Sequence, residues 1–408
     1  MAKTNKLKIF NDPIYGFIGT PDQLIFDLIA HPYVQRLRRI SQMGLSYLVY
    51  PGAHHTRFHH ALGCMHLMQR AIQVLRFKNV PITKKEEEGL LCAILLHDIG
   101  HGPFSHALEH EIIAGVEHEK LSLQFMQRIN QEFNGALEVG IMIFQGQYPK
   151  VFMNQLVSSQ LDMDRLDYLK RDSFYTGVTE GNINSERLIT MLNVVDNQLV
   201  VEEKGIYAVE KFLMARRFMY WQVYLHKTSL VAELLLVRIF KRAREIFEAT
   251  PTADEDPLLF FLLNQEQQKK ASFDLLGAFA QLDDVDVLHA LKKWQFHDDI
   301  ILAKLSSMLL NRKLLKIKIK DAPIDGHKLE MKRNWVQDHF QLAEDQVDYF
   351  VFTGEVANRA YDEEHQSISI LKKNGKLVDV ARASDNLGLR AFSKKVTKFY
   401  VCYPKESV

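Results

Sequence analysis

Histidines are concentrated in one part of this sequence. Ten of the 17 histidines fall between residues 54 and 118, and the other seven are scattered over the rest of the 408-residue chain. Imidazole binds metals and exchanges protons near neutral pH. A single histidine is usually an ordinary core or surface residue, but a cluster of this density favours a metal-dependent or acid–base site. The clustered residues are His54, His55, His59, His60, His66, His97, His101, His106, His110 and His118.

The segment AILLHDIGHGPFSH at 93–106 is the most informative part of the cluster. An apolar helix end delivers His97 and Asp98, and glycines and a proline then turn the backbone before His106. Neighbouring helical residues point about 100° apart, so one cation could bind both His97 and Asp98. A histidine and a carboxylate leave a divalent ion short of ligands, so further ligands must come from elsewhere in the chain.

The segment TRFHHALG at 56–63 is one source of such ligands. It opens a predicted helix, and residues three apart share a helix face. We therefore expect Arg57 and His60 to reach the same pocket, while His59 points elsewhere.

The segment LDMDRLDYLKRD at 161–172 is a second source. It places Asp164, Tyr168 and Asp172 in an i, i+4, i+8 row, which predicts a cleft lined by an acid, a phenol and an acid. The alternative is a solvated amphipathic face, in which i,i+4 ion pairs account for Arg165, Lys170 and Arg171.

The elements that must position these residues are mainly helical. An Asn-Asp-Pro turn predicts a hairpin within residues 1–20, and helical periodicity then dominates to about residue 311. We expect helices at 57–77, 84–96, 119–133, 159–170, 208–247 and 258–263, with a loop at 249–257. After Arg312 the period changes, which predicts strands at 313–320, 347–352, 368–380 and 396–403 and a helix at 327–341.

The predicted organisation is therefore a mainly α protein with a small C-terminal α+β domain. Residues 1–50 form the hairpin and the first helices, residues 51–311 form the helical catalytic core, and residues 312–408 form the α+β domain.

Composition limits where the protein acts. Lys and Arg total 51 against 50 for Asp and Glu, so no global field attracts nucleic acid or an acidic membrane. The three cysteines are far apart, which excludes a disulfide framework and a cysteine zinc site. We find no signal peptide and no run of 18 apolar residues. These features predict a cytoplasmic protein without a membrane segment.

Over residues 12–240 the chain resembles the HD-domain phosphohydrolases, and most closely the deoxynucleoside-triphosphate triphosphohydrolases that include bacterial dGTPases. His-Asp alone is a weak signal. HDIGHGPFSH combined with RFHHALG and DMDRLDY, in this order, is a strong one. DPIYGFI, QRLRRISQMG and ARRFMYWQVYLHKT at 215–228 extend the resemblance.

The resemblance implies one divalent metal ion per active site, held by His60, His97, Asp98 and Asp164. Two nitrogen and two oxygen ligands that leave coordination positions open suit Mn, Mg, Fe or Ni. A structural zinc site, in contrast, is closed. In the family, attack at the α-phosphorus of a dNTP gives a deoxynucleoside and intact triphosphate.

The resemblance also implies roles for other residues. His101, His106 and His118 match active-site histidines that protonate the 5′ oxygen or position water, and Glu109 matches the acid that orients His106. The implied substrate contacts are Arg57, Arg165 and Arg216 for phosphates, and Gln42, Tyr168 and Asp172 for a sugar pocket that excludes a 2′-hydroxyl. An animal member of this family has a histidine at the position of Tyr220, and Tyr224 keeps the following aromatic residue.

Regulation and assembly are further implications of the resemblance. The segment AHPYVQRLRR at 30–39 resembles part of a regulatory nucleotide site, but Ala30 replaces the acidic residue that selects guanine there. The family implies a homo-oligomer, a dimer or a tetramer, and we assign the C-terminal domain to subunit contacts or regulation.

Two other functions stay open. One is an HD-type phosphodiesterase or nucleotidase acting on another phosphoester, such as a nucleoside monophosphate or the end of a single-stranded nucleic acid. The other is a nucleotide-sensing protein with little turnover, which is less favoured because all four ligand positions are filled.

Overall fold

The molecule is mainly helical, with three small sheets. The structure is a computed structural model, and its description covers residues 8–113, 115–247, 257–263, 274–358, 361, 367–385 and 394–407. The side chains of His106 and His110 lie outside this description, as does the predicted loop at 249–257 apart from residue 257.

The helices and strands run in the following order. The helices are α1 Gln23–Ala30, α2 Pro32–Arg36, α3 Arg57–Phe77, α4 Lys84–Leu96, α5 Glu109–Ile112, α6 His118–Glu132, α7 Glu138–Phe144, α8 Val151–Val157, α9 Met163–Thr176, α10 Ser185–Thr190, α11 Ile206–Met219, α12 Lys227–Phe247, α13 Pro257–Leu262, α14 Leu275–Phe279, α15 Asp284–Trp294, α16 Ile300–Leu310, α17 Gly326–Phe340 and α18 Val380–Ala383. The strands are β1 Ile9–Asp12, β2 Gly16–Gly19, β3 Leu192–Val195, β4 Gln198–Glu202, β5 Lys316–Lys320, β6 Phe352–Asn358, β7 Ser369–Leu371, β8 Leu377–Asp379 and β9 Val396–Tyr403.

Three helices build the frame of the site. α3 packs against both α4 and α9, and all three carry residues of the predicted metal cluster or end beside it. α4 begins with a capping box, because Thr83 accepts from the backbone N–H of Glu86 and Glu86 accepts from that of Thr83. The predicted bounds of α3 and α4 are confirmed.

α3 and α9 approach each other closely at a glycine. A Cβ at Gly63 would lie 2.0 Å from Oδ1 of Asp167 and 2.3 Å from an Arg171 nitrogen. Only glycine therefore leaves room for the buried Asp167–Arg171 pair against α3.

The N-terminal hairpin is confirmed as β1 paired with β2. The hairpin predicted at 368–380 is confirmed as β7 and β8, with Gly375 at φ +81° in its turn. β9 is confirmed at 396–403, and it lies between β5 and β6 in an antiparallel sheet.

Three predictions about elements are wrong. The helix expected at 208–247 is interrupted by a π-helical turn at Tyr220–Tyr224, where the N–H of Leu225 bonds the carbonyl of Tyr220. The strand expected at 347–352 is also wrong. Residues 344–349 form a 3₁₀ helix, and the strand begins only at Phe352. The apolar pattern at 347–352 is compatible with either structure.

The third wrong expectation is an all-helical body up to residue 311. β3 and β4 form a hairpin there, with Asp196 and Asn197 both at positive φ in its turn. β4 also pairs in parallel with β7, so one sheet joins strands from both sides of residue 312. The division into domains at that residue stays a prediction.

No helix among the residues covered by the structure is both long enough and apolar enough to cross a bilayer.

Candidate active site

The four predicted metal ligands meet at one point. His60 lies on α3, His97 and Asp98 follow the end of α4, and Asp164 lies in the first turn of α9. His60 Nε2 is 3.1 Å from Asp164 Oδ1 and 3.6 Å from Asp98 Oδ2. His97 Nε2 is 3.4 Å from Asp98 Oδ1 and 3.6 Å from Asp164 Oδ1. Two nitrogens and two carboxylates at this spacing form a set that can hold one divalent ion.

The orientation of His97 supports that fit. Its Nδ1 lies 2.7 Å from the carbonyl oxygen of Ile94, so Nδ1 carries the proton and Nε2 presents its lone pair. Nε2 is buried and makes no hydrogen bond within the described part of the chain. A cation at this point would accept the Nε2 lone pair and would also pair with the carboxylates of Asp98 and Asp164. His97 is therefore placed as a metal ligand requires.

His60 is held from behind by a buried ion network. Its Nδ1 lies 2.8 Å from Asp167 Oδ2, and Arg171 binds both oxygens of Asp167 at 2.9 and 3.0 Å. Arg171 also binds Asp12 at 2.7 Å, and its side chain is fully buried. The carboxylate fixes the His60 tautomer that leaves Nε2 for a metal. The solvated-face alternative for α9 is therefore wrong for Arg171.

Cys64 lies near this cluster but is not placed as a ligand. Its Sγ is 3.5 Å from both nitrogens of His60, so it lies over the face of the ring. A metal bound to Nε2 would lie in the ring plane instead. Burial raises the pKa of the Cys64 thiol, which keeps it protonated.

Asp98 links the metal cluster to the guanidinium group of Arg57. Arg57 donates to Asp98 through NH1 and to Ser105 Oγ through Nε at 2.8 Å. Burial alone would raise the pKa of Asp98, but His97, Arg57 and His101 outweigh it and hold that pKa well below its usual range. Asp98 is therefore a carboxylate at neutral pH.

The backbone loop that follows Asp98 is fixed by a buried arginine. Arg36 donates to the carbonyls of Ile99 at 3.0 Å and His101 at 2.8 Å, and its other terminal nitrogen donates to that of Leu282. Arg36 thereby ties the loop after Asp98 both to α2 and to the segment that precedes α15.

The cluster opens into a cavity of about 400 Å³, a volume in the range of small-molecule sites. Eleven of the residues proposed from the sequence line it: Gln42, Arg57, Asp98, His101, His118, Asp164, Arg165, Tyr168, Asp172, Tyr220 and Tyr224. His60 and His97 do not line it; each lies within 4 Å of a carboxylate oxygen of Asp98 and Asp164.

Two histidines stack at the cavity wall. The rings of His101 and His118 are 3.8 Å apart between centroids and 21° from parallel. Burial and the charge of Arg57 lower the pKa of His101 well below its usual range, so its ring is neutral. His118 Nδ1 lies 2.6 Å from Glu109 Oε1. Glu109 therefore orients His118, while its predicted pairing with His106 stays a prediction because that side chain lies outside the described residues.

The predicted sugar pocket contains an additional partner, His55. Asp172 Oδ1 is 2.7 Å from His55 Nε2, and its Oδ2 accepts from the Tyr224 hydroxyl at 2.7 Å. His55 also stacks on Tyr175. Burial and the Asp172 charge raise the pKa of Tyr224, which keeps its donating proton. Asp172 lines the cavity and is fixed in place by both contacts.

The arginines differ in their access to the cavity. Arg57 and Arg165 line it, and Arg165 is paired with Asp162, the N-cap of α9. Arg216 is buried and does not line the cavity; it donates to Gln160 at 2.9 Å. A phosphate contact by Arg216 would require its side chain to move.

Several residues of the site were not proposed from the sequence: Asp12, Arg36, His55, Ser105, Asp162, Asp167, Arg171 and Glu233. The i,i+4 pair of Asp167 and Arg171 was visible as a pattern, but its burial was not. No sequence signal distinguishes Glu233 from other acids on a long helix.

Comparisons with known proteins show the family to which the chain belongs. Residues 57–172 match the HD domain, and residues 183–276 match the HD associated region. The Bacillus subtilis protein YwfO is 31% identical over all of this chain and 94% of its own length. A phosphohydrolase of known structure from Bacteroides thetaiotaomicron is 48% identical, with a TM-score of 0.92 over 98% of this chain and 100% of the other.

A more distant relative has an activity in its name. The Dictyostelium discoideum deoxynucleoside triphosphate triphosphohydrolase SAMHD1 homolog is 31% identical over 63% of this chain and 53% of its own length. This chain therefore spans about half the length of that relative. The two matched segments and the end-to-end similarity to YwfO show that the chain belongs to the family of HD-domain phosphohydrolases.

Proposed function

We propose that this protein hydrolyses deoxynucleoside triphosphates to a deoxynucleoside and inorganic triphosphate. The observation that carries the proposal is the convergence of His60, His97, Asp98 and Asp164. Both carboxylates of this set line the cavity that Arg57 and Arg165 also line. The name of the Dictyostelium relative, a deoxynucleoside triphosphate triphosphohydrolase, supports the substrate and the product.

The four ligand residues would hold one divalent ion, with Mn, Mg, Fe or Ni as candidates. When bound, such an ion neutralises phosphate charge and makes the phosphorus more electrophilic. Arg57 and Arg165 bind further phosphate oxygens and orient the chain of phosphates. Both arginines keep carboxylate partners, so they are already aligned before substrate arrives.

Proton transfer to the leaving 5′ oxygen falls to His118 in this proposal. Glu109 accepts a hydrogen bond from Nδ1–H of His118, so the other ring nitrogen, Nε2, is the one that can carry and donate a proton to the substrate. His101, stacked on the same ring and neutral, is suited to accept a hydrogen bond from the attacking water.

Selection of deoxyribose falls to Gln42, Tyr168 and Asp172. Gln42 and Asp172 can bond the 3′-hydroxyl, and Oε1 of Gln42 is buried without a protein hydrogen bond among the residues that the structure covers. Tyr168 is packed edge to face with Tyr224, which fixes its ring as a wall against a 2′-hydroxyl.

Assembly and regulation are a further part of the proposal. The family resemblance supports a homo-oligomer and a regulatory nucleotide, with Ala30 arguing against a guanine-specific activator. A cytoplasmic location also stays a prediction.

The test is product analysis with purified protein, Mn²⁺ and each dNTP or rNTP, separated by ion exchange. We expect triphosphate and deoxynucleoside from dNTPs, lower turnover of rNTPs, and no product from Asp98→Ala protein with an unchanged circular dichroism spectrum. Release of orthophosphate or pyrophosphate, or equal turnover of rNTPs, would favour another HD-type phosphoesterase. Tight binding without product would favour a sensor.

A further inference from the structure

One acidic residue of the cavity has no role in the chemistry proposed so far. Glu233 lies on α12 and lines the same cavity as the ligand carboxylates. It faces the segment that carries Gln42: a Cβ added to Gly44 would lie 3.5 Å from Glu233 Oε1 and 3.3 Å from the carbonyl oxygen of Phe104. Gly44 also has φ +50°, a conformation that favours glycine, and a Cβ there would be in ordinary van der Waals contact with Glu233.

Glu233 has no protein partner in the part of the chain that the structure covers. Among the described residues, no hydrogen bond and no ion pair reaches its carboxyl group. The other cavity carboxylates differ, because Asp98 binds Arg57 and Asp172 binds His55 and Tyr224. The Glu233 carboxyl group lines the cavity, so a ligand bound there can hydrogen-bond to it without displacing a protein partner.

Electrostatics disfavour the phosphates as that ligand. A triphosphate carries several negative charges and needs the cationic part of the cavity, near Arg57 and Arg165. Glu233 offers no positive charge to such a group, and the ionised fraction of its carboxyl group repels it. Glu233 is therefore placed for an uncharged part of the substrate, and the sugar hydroxyl is already served by Gln42 and Asp172.

We propose that Glu233 binds the nucleobase of the substrate by hydrogen bonding to its Watson–Crick edge. This inference rests on the proposed function, because it assumes a nucleotide whose phosphates lie at the metal cluster. Glu233 is thus a substrate-binding residue that recognises the polar groups on the edge of the base.

The protonation of Glu233 indicates what it can recognise. Burial raises its pKa to about 8, so the group is mostly a neutral acid at pH 7. A neutral carboxyl group presents one donor beside one acceptor, and either oxygen can carry the proton. Each of the four bases presents an adjacent donor and acceptor on its Watson–Crick edge, so Glu233 can bind any of them. An ionised Glu233 would match only the two donors of guanine.

The test compares natural substrates with analogues that lack one edge group. Deoxynebularine triphosphate is dATP without the 6-amino group, and the deoxyzebularine compound is dCTP without the 4-amino group. In wild-type protein we expect kcat/KM to be about tenfold higher for each natural member, the effect of one buried hydrogen bond. Glu233→Leu should reduce both ratios to about one, whereas Glu233→Gln, which keeps a donor beside an acceptor, should preserve them.

The controls separate this inference from a structural effect and from the proposed function. Glu245→Gln changes an exposed glutamate on the same helix and should leave both ratios as in wild type. Glu233→Ala, which removes the side chain, is the second variant if Glu233→Leu does not fold. Ratios unchanged in the folded variant would overturn the role of Glu233, even if triphosphate is released. Absence of triphosphate from every natural dNTP would instead overturn the proposed function.

Discussion

The two ends of the cavity differ in how the protein satisfies their polar atoms. At the metal end, His60 is bonded to Asp167, Asp167 to Arg171, and Arg171 to Asp12, so the ligand geometry is set before any ligand arrives. At the other end, Gln42 Oε1 and the Glu233 carboxyl group have no protein hydrogen bond in the part of the chain described.

This difference separates two tasks. A metal centre must hold its ligands within a few tenths of an ångström, and a buried ion network provides that rigidity. A recognition surface needs donors and acceptors that the substrate completes, because a substrate without the matching group then leaves them unsatisfied. We expect changes at the metal end to affect all substrates alike, and changes at the other end to affect some substrates more than others.

The largest expected effect comes from removal of the metal. Protein treated with a chelator should lose all turnover for every dNTP, and Mn²⁺ should restore it. Metal binding to the folded state alone should also raise the melting temperature, with about 2.7 kcal/mol of stabilisation at a hundredfold excess over Kd. Calorimetric scans of wild-type and Asp98→Ala protein provide the check. If Mn²⁺ raised the melting temperature of Asp98→Ala protein as much as that of wild type, the ion would bind elsewhere.

The second effect is the loss of the buried network behind His60. Asp167→Ala leaves the Arg171 charge without its main partner, which should lower the free energy of unfolding by about 3–5 kcal/mol. The exposed Arg70–Glu186 pair is the matched control, and Glu186→Ala should cost less than about 1 kcal/mol. Urea titration measures both values. Equal costs would mean that the buried pair contributes no special rigidity.

Gly63→Ala tests the same network from the side of α3. The added Cβ would lie 2.0 Å from Asp167 Oδ1, so the carboxylate must move away from His60. We expect weaker Mn²⁺ binding, by roughly 10- to 100-fold, as for other losses of a ligand's supporting contact. Gly19→Ala is the control, because nothing lies within 4 Å of a Cβ there. Titration calorimetry with Mn²⁺ would show unchanged affinity if the network did not position His60.

Glu109→Gln tests the orientation of His118. A neutral amide cannot stabilise a protonated His118, so kcat should fall by at least about 100-fold for all dNTPs, while KM changes little. A rise in KM at constant kcat would show that Glu109 acts in binding instead.

The last prediction concerns the stability contributed by Glu233. Its folded-state pKa of about 8 lies above that of an unfolded glutamate, so the unfolded chain releases its proton first as pH rises. Wild-type stability should therefore fall between about pH 4.5 and pH 8, by at most about 1.4 kcal/mol per pH unit. Glu233→Gln should remove this loss. Parallel stability curves for the two proteins would mean that Glu233 is ionised in the folded state.

Much of the helical frame was predictable because local signals and packing agree. Thr83 and Glu86 mark the start of α4, and the apolar residues between Arg57 and Phe77 recur at helical spacing, so both helices were placed correctly. The π-helical turn at Tyr220–Tyr224 could not be predicted, because its sequence is as apolar and aromatic as a regular helix. The β3–β4 hairpin did carry a signal, the Asp196–Asn197 turn.

The site was predictable in its residue types and less so in its supporting contacts. The order of the motifs gave the four candidate ligands, which the fold brings together. The burial of Arg171 depends on the approach of α3 at Gly63, which no local pattern in α9 reveals. Arg216 matched a phosphate-binding position by resemblance, yet its contact with Gln160 is set by tertiary packing.

The most direct test of the account is hydrolysis of a dNTP in ¹⁸O-labelled water with Mn²⁺, followed by mass spectrometry of the products. Attack at the α-phosphorus with release of the 5′ oxygen predicts one ¹⁸O atom in triphosphate and none in the deoxynucleoside. Label in orthophosphate or pyrophosphate, or label in the deoxynucleoside, would contradict the proposed reaction.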